Sequence, residues 1–217
     1  MAEKRKNETA AELMARLRAD PEWVRRHEGR EAAHKARVEQ GYREREPENA
    51  PLIQELKAAG IKFRPSQIQQ WTSGGRVTSS DPTPVGSVWD LVNTKHSYPE
   101  AIPILYRHLQ TAKHPEMVEG IARALTVKEA CGPQARCILE KLQRRDFLVS
   151  TPTVQPHQNH AAWALANALV VVGDESMVEE IKALIADPRY ADVKGRLKDA
   201  LKHCERLAKR NSGHSAR

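Results

Sequence analysis

The sequence of 217 residues predicts an all-α fold, a short stack of about three helix pairs with a charged helical N-terminal extension. Aromatic residues make up only 5% of the chain, and Ala, Leu, Glu, Lys and Arg dominate it, a composition that favours helix. A motif of small and apolar residues ending in Ala-Leu also recurs at residues 120–125, 164–169 and 196–201. Each copy follows another amphipathic helix, so the repeating unit is a helix pair that must stack on its neighbours to bury its apolar face.

The N-terminal extension, residues 1–60, is predicted to be a charged helical arm. A first helix over residues 9–19 has its apolar side chains at helical spacing. Asp20 and Pro21 then supply the N-cap and first-turn proline of a second helix, which runs toward Arg45 and has only a narrow apolar stripe.

A third, compact helix is predicted after Pro47, over residues 50–59. Its apolar side chains share one face, and Gly60 is placed to stop it. Residues 61–86 are then rich in Gly, Ser, Thr and Pro and show no sustained helical period, which predicts an irregular loop.

The repeat domain is predicted over residues 87–210 and is followed by a flexible basic tail at 211–217. Residues 146–158 form an inserted connection within it, which accounts for the wider spacing between the first two Ala-Leu motifs. Buried faces at helical spacing predict three helix pairs, 99–109 with 115–125, 133–142 with 159–172, and 175–186 with 190–207.

The run 166–188 resembles the HEAT-repeat pattern. It contains an Ala-Leu helix, a turn at Gly173-Asp174, a helix with a paired apolar face and a turn at Asp187-Pro188. The segment 88–130 is similar to uncharacterised bacterial proteins described as containing HEAT repeats, and the resemblance extends over roughly residues 86–207. It implies a right-handed α-solenoid in which one set of helices lines a concave binding surface.

One polar position is shared by the three motifs and is a candidate for that concave face. Arg123, Asn167 and Asp199 each stand two residues before the closing leucine. Side chains in one shared position could form a ladder along the inner face and contact a protein partner. They could equally well form hydrogen bonds between neighbouring repeats.

The positive charge is concentrated at the C-terminus. The chain has a net charge of +7, and residues 193–217 hold eight Lys and Arg against two Asp and Glu, so +6 of it lies there. Such a patch attracts phosphates or an acidic protein, whereas the polar outer surface of a terminal repeat would also account for it. The candidate nucleic-acid-binding residues are Lys194, Arg196, Lys198, Lys202, Arg206, Lys209 and Arg210.

The sequence offers little support for a catalytic or metal-binding site. The common nucleophile, phosphate-binding and dinucleotide-binding glycine motifs are missing from the sequence. His157 and His160 are three residues apart, but no Cys or carboxylate stands at a supporting spacing for zinc. The chain is similar in architecture to HEAT-like DNA glycosylases, which use aromatic residues and a carboxylate. Trp89-Asp90 and Trp163 resemble such a set, although the tryptophans stand at predicted core positions.

The sequence therefore predicts a non-enzymatic HEAT-repeat scaffold that binds another protein on its concave helical face, with no cofactor, metal or small-molecule substrate. Nucleic-acid binding through the C-terminal basic helix is the first alternative, and a HEAT-like DNA glycosylase is the second. Three cysteines with no Cys-x-x-Cys spacing indicate free thiols in a reducing compartment. With no apolar run long enough to span a membrane and no secretory signal, a cytoplasmic protein is expected.

Overall fold

A computed structural model shows a predominantly helical chain that divides into two units, Met1–Arg43 and Glu44–Arg217. The all-α prediction is confirmed, because the described residues form α-helices with only four strands of two or three residues each. The structure describes residues 9–63, 70–72, 75–77, 83–84, 86–92, 94, 96–147 and 155–214.

The N-terminal unit contains α1 (Ala10–Ala19) and the first part of α2 (Pro21–Ala58). Thr9 and Glu12 form a capping box on α1, with the Glu12 carboxylate 2.9 Å from the Thr9 backbone nitrogen and the Thr9 hydroxyl 3.3 Å from that of Glu12. Asp20 caps α2 as predicted, since its carboxylate accepts hydrogen bonds from two backbone N–H groups of the first turn. Helix α1 has no buried residue.

The predicted helix break at Pro47 is wrong. Helix α2 passes through Pro47 and Pro51 and ends at Ala58, so residues 50–59 are not a separate helix. A proline removes one backbone donor and usually kinks a helix, but the last turns of α2 are held by tertiary packing, because their apolar side chains are buried in the core of the second unit: Leu52, Ile53 and Leu56.

The loop predicted at 61–86 carries short strands in its described part. Strand β1 (Lys62–Phe63) pairs antiparallel with β4 (Thr83–Pro84), and β2 (Gln70–Thr72) pairs antiparallel with β3 (Gly75–Val77). Only Ser73 and Gly74 separate β2 from β3 in sequence, a spacing and composition that favour hairpins. The strands are too short for a period-2 pattern, which is why the sequence reads as irregular.

The second unit is built of two helix layers. The α5 layer consists of α3 (Val88–Val92), α5 (Pro115–Ala124), α7 (Gln155–Val172) and α9 (Lys194–His214), and neighbours in this order pack side by side. The α4 layer consists of α4 (Ile102–Thr111), α6 (Arg136–Arg144) and α8 (Val178–Ala186). Helix α4 packs against α6, and Arg136 of α6 forms an ion pair with Glu180 of α8 at 2.5 Å. Helices α4, α6 and α8 also contact α5, α7 and α9 respectively, so the elements pair as predicted.

A single apolar core runs through this unit. Leu125 and Leu169, which close the first two Ala-Leu motifs, are fully buried in it, and Leu201, which closes the third, is partly buried against the same core. The three motifs therefore share one continuous apolar seam. Two glycines allow close helix contacts along it, because a Cβ on Gly120 would lie 2.5 Å from Val88 Cγ1 and one on Gly173 would lie 2.9 Å from Cys204 Sγ.

Polar contacts also fix elements of the second unit. Glu48, on the part of α2 that belongs to this unit, accepts hydrogen bonds from the backbone N–H groups of Lys113 and His114 and so caps α5, at 2.9 and 3.1 Å. Lys141 of α6 is fully buried, and its ammonium group donates to the carbonyl of Ala112, at the end of α4, and pairs with Asp146 at 2.7 Å.

Helix α9 extends past the predicted start of the flexible tail at residue 211 and ends at His214. The Asn211 amide donates a hydrogen bond to Glu175 at 2.8 Å. All three cysteines are free thiols, as predicted. Cys131 is exposed, whereas Cys137 and Cys204 are buried, and burial raises their pKa values to about 12 and about 11.

Candidate protein-binding face

Within the α5 layer, α5 and α7 are largely buried and each leaves one edge at the surface, whereas α9 is largely exposed or half-buried. On α7 this edge follows helical spacing, with three half-buried side chains at 163, 167 and 170 and nearly every other described residue of the helix buried or beside this edge. Helices α3, α5 and α9 contribute equivalent edges. We call this surface the Trp–Arg face and define it by Trp89, Glu119, Arg123, His160, Trp163, Asn167, Arg196 and Asp199.

Two tryptophans and two arginines alternate across this face. The guanidinium carbon of Arg123 lies 6.0 Å from the ring centroid of Trp89 and 5.3 Å from that of Trp163. The guanidinium carbon of Arg196 lies 5.0 Å from the Trp163 centroid. These distances are typical of cation–π contacts, each of which contributes about 0.5–1 kcal/mol at partly exposed sites. The row Trp89, Arg123, Trp163, Arg196 thus crosses four helices.

Carboxylates hold the two arginines in place. Glu119 is only 4% exposed, and its carboxylate accepts a hydrogen bond from Nε of Arg123 at 2.9 Å. The other Glu119 oxygen lies 3.9 Å from Nδ1 of His160. On α9, Arg196 lies 3.5 Å from the carboxylate of Asp199, one turn further along the helix. Each guanidinium is therefore positioned on two sides, by a ring and by a carboxylate.

The three residues of the predicted shared position all lie on this face and are half-buried. They do not form the direct ladder that the sequence suggested, because the described contacts join Arg123 to Trp163 and Glu119, and Asp199 to Arg196. The contacts between helices join Arg123, at the shared position of α5, to Trp163, which lies one turn before the shared position of α7, and join Trp163 to Arg196, one turn before that of α9.

The seven basic residues proposed for nucleic-acid binding divide into two groups. Arg196 is half-buried and turns toward Trp163. The other six are exposed. Four of these follow one another at intervals of four along the outer surface of α9, which makes a continuous basic stripe: Lys194, Lys198, Lys202 and Arg206.

The residues that were compared with a glycosylase site, Trp89, Asp90 and Trp163, do not have the environments that a catalytic cleft requires. Trp89 and Trp163 are half-buried against the core and contact arginines. Asp90 accepts hydrogen bonds from the backbone N–H groups of Gly86 and Ser87, at 2.8 and 3.0 Å, and so closes the turn that begins α3. The sequence placed both tryptophans at core positions, and the structure shows them packed against the core but only partly buried.

Sequence reasoning missed Glu119 and the alternation of Trp with Arg. A usable signal was present, because Glu119, Trp163 and Arg196 stand three or four residues before the shared polar position of their helices. The sequence alone does not show which helices lie side by side.

Beside Arg123 the Trp–Arg face opens into a cleft of about 230 Å³, which is lined by Leu91, Tyr98, Ile102, Thr126 and Glu129 among others. The cleft has both apolar and polar walls. His160 has Glu119 as a neighbour, and the side chain of His157 lies outside the described residues. Within the described part of the chain, no cluster of three His, Cys, Asp or Glu is arranged to hold a metal ion.

Among the residues that the structure describes, no helix is both long enough and apolar enough to cross a membrane. Comparison with protein-family models, with curated proteins and with solved structures finds no match to this chain. The case for a function therefore depends on the geometry and chemistry of the Trp–Arg face.

Proposed function

We propose that this chain is a HEAT-like α-solenoid that performs no chemistry and binds another protein on its Trp–Arg face. The order of packing supports the architecture, since α5, α7 and α9 lie side by side and each contacts the preceding helix of its own pair. Repeats that contact only their neighbours in this way are typical of solenoids.

The observation that carries the binding proposal is the row of Trp and Arg side chains across four helices. Tryptophan and arginine are the residue types most enriched among those that dominate the energy of protein interfaces. Here both types are half-exposed, and the described contacts fix their orientation before any partner arrives. A pre-ordered surface loses less side-chain entropy on binding.

Site-specific crosslinking in the source cell tests this proposal. A photoreactive amino acid at Asn167 would stand on the Trp–Arg face one turn from Trp163, and the same group at the exposed Lys182 of α8 would serve as the control on the other layer. We expect one protein to be captured from position 167 and not from position 182, and Trp163→Ala to abolish its capture. Equal capture from both positions would refute the proposal.

Nucleic-acid binding by α9 is the second candidate, because four exposed basic side chains form a stripe along it. Neutralising phosphates with Lys and Arg releases counterions, so such binding must weaken steeply with salt. We expect a duplex or single-stranded oligonucleotide to be retarded at low salt if this candidate is correct, and Lys198→Glu with Lys202→Glu to remove the retardation. Absence of retardation at low salt would exclude it.

A further inference from the structure

The two arginines of the Trp–Arg face are arranged to receive carboxylates. The Glu119 bond uses only Nε of Arg123, and within the described residues both Nη groups remain available to an incoming ligand. Arg196 contacts Asp199 through one Nη group, at the long distance of 3.5 Å. A guanidinium stacked on an indole keeps its planar set of N–H donors, which matches the two oxygens of a carboxylate.

Trp163 separates these two anchors. Both guanidinium carbons lie within 5.3 Å of its ring centroid, and Trp163 is partly exposed. An apolar side chain placed between two acidic ones can therefore contact the indole while its neighbours reach the arginines. Binding would bury aromatic surface and form charge-assisted hydrogen bonds at the same place.

The charge around the face favours an acidic ligand. Glu119 and Asp199 offset the two arginines locally, but α9 also carries the exposed basic stripe of Lys194, Lys198, Lys202 and Arg206. Residues 193–217 carry +6 of the net charge of +7. A positive field of this kind speeds the encounter with acidic partners and suppresses basic ones.

The same geometry disfavours nucleic acid on this face. Single-stranded bases need open aromatic faces on which to stack, whereas both tryptophans here already contact guanidinium groups. A phosphate backbone carries charge at every nucleotide and would meet Glu119 and Asp199 in the same row. A peptide can place its carboxylates only where the arginines stand.

We propose that the partner presents an acidic segment to the Trp–Arg face, with two carboxylate side chains binding Arg123 and Arg196 and an apolar side chain between them packing on Trp163. This inference rests on the proposed function, because it names the partner class for the same surface.

Selection from a library of random peptides displayed on phage, with the full chain as target, tests this inference. We expect the enriched peptides to carry two Asp or Glu flanking an apolar residue. Arg196→Gln should weaken their binding about tenfold or more, the usual effect of losing a hydrogen bond to a charged group. Lys198→Gln removes the same charge from α9 outside the face and should change the affinity less than about twofold.

Arg196→Gln is preferred to Arg123→Gln because Asp199 is half-exposed, whereas Arg123→Gln would leave the buried Glu119 without its arginine. Enrichment of neutral or basic peptides, or of none, would overturn the inference, and so would an equal loss with Arg196→Gln and Lys198→Gln. An oligonucleotide that competes for the face would overturn it in favour of nucleic acid. If crosslinking from position 167 still captures one protein, only the acidic character of the partner is refuted and the proposed function stands.

Discussion

Substitution of Gly120 by alanine tests the packing that brings Trp89 onto the Trp–Arg face. The new Cβ would lie 2.5 Å from Val88 Cγ1 and 3.4 Å from the Trp89 ring, so α3 or α5 must shift. Val88 is fully buried and cannot swing away. Overpacking of this kind costs about 1–3 kcal/mol, and the better helix propensity of alanine returns up to about 1 kcal/mol.

We therefore expect Gly120→Ala to lower the free energy of unfolding by about 1.5 kcal/mol, which corresponds to a fall in Tm of about 3–6 °C for a unit of this size. Thermal and urea unfolding followed by circular dichroism measure it. Gly195→Ala is the matched control, because a Cβ there meets nothing within 4 Å, and it should leave stability unchanged or raise it by up to about 1 kcal/mol.

A double-mutant cycle isolates the clash. Val88→Ala removes the methyl groups that a side chain at 120 would strike, so the double variant should be less destabilised than the sum of the two single variants by about 1 kcal/mol. The close contact between α3 and α5 would be refuted if Gly120→Ala were as stable as the natural chain, or if the two substitutions were additive.

Three further predictions concern the rest of the second unit. Lys141→Met should lower the free energy of unfolding by about 2 kcal/mol in urea titrations, less than for a fully buried pair because Asp146 is 37% exposed; an unchanged midpoint would contradict it. In the native protein Cys131 alone should react quickly with a thiol reagent, with the two buried cysteines reacting only on unfolding; three equal rates would contradict it. The hydrogen bond from Arg136 lowers the pKa of Glu180 below its usual 4.5. The ionised Glu180 carboxylate therefore stabilises the fold at pH values above 4.5, and this stabilisation is lost as the pH falls through the lowered pKa. Glu180→Gln should therefore show a shallower loss of stability in acid, as measured by unfolding at several pH values, and parallel curves for the two proteins would exclude this contribution.

Helical periodicity was sufficient to predict the helix pairs, because their apolar side chains recur along each helix and proline or Gly-Asp marks the points between helices. It was not sufficient for α2, where Pro47 is a valid local signal of a break. The helix continues there because Leu52 and its neighbours are buried, and burial depends on elements distant in sequence. The pairing of β2 with β3 was missed because strands of three residues are too short to show a period.

Sequence reasoning proposed positions for the candidate site but did not predict its contacts. The three residues of the shared polar position, Arg123, Asn167 and Asp199, are each half-buried, on α5, α7 and α9, and their role in binding stays a prediction. The contacts of Trp163 with arginines from α5 and α9 depend on which helices are neighbours and how far apart they lie. One sequence carries no measure of that distance.

The two prolines within α2 have a consequence for how the protein can be cut or recombined. They lie one turn apart, at 47 and 51, just past the boundary between the units at Arg43 and Glu44. Neither can donate a backbone hydrogen bond, so α2 has fewer backbone hydrogen bonds here than a helix without proline. Every buried apolar side chain among the described residues lies at Leu52 or later. Loss or exchange of the N-terminal unit would therefore leave the hydrophobic interior of the second unit intact.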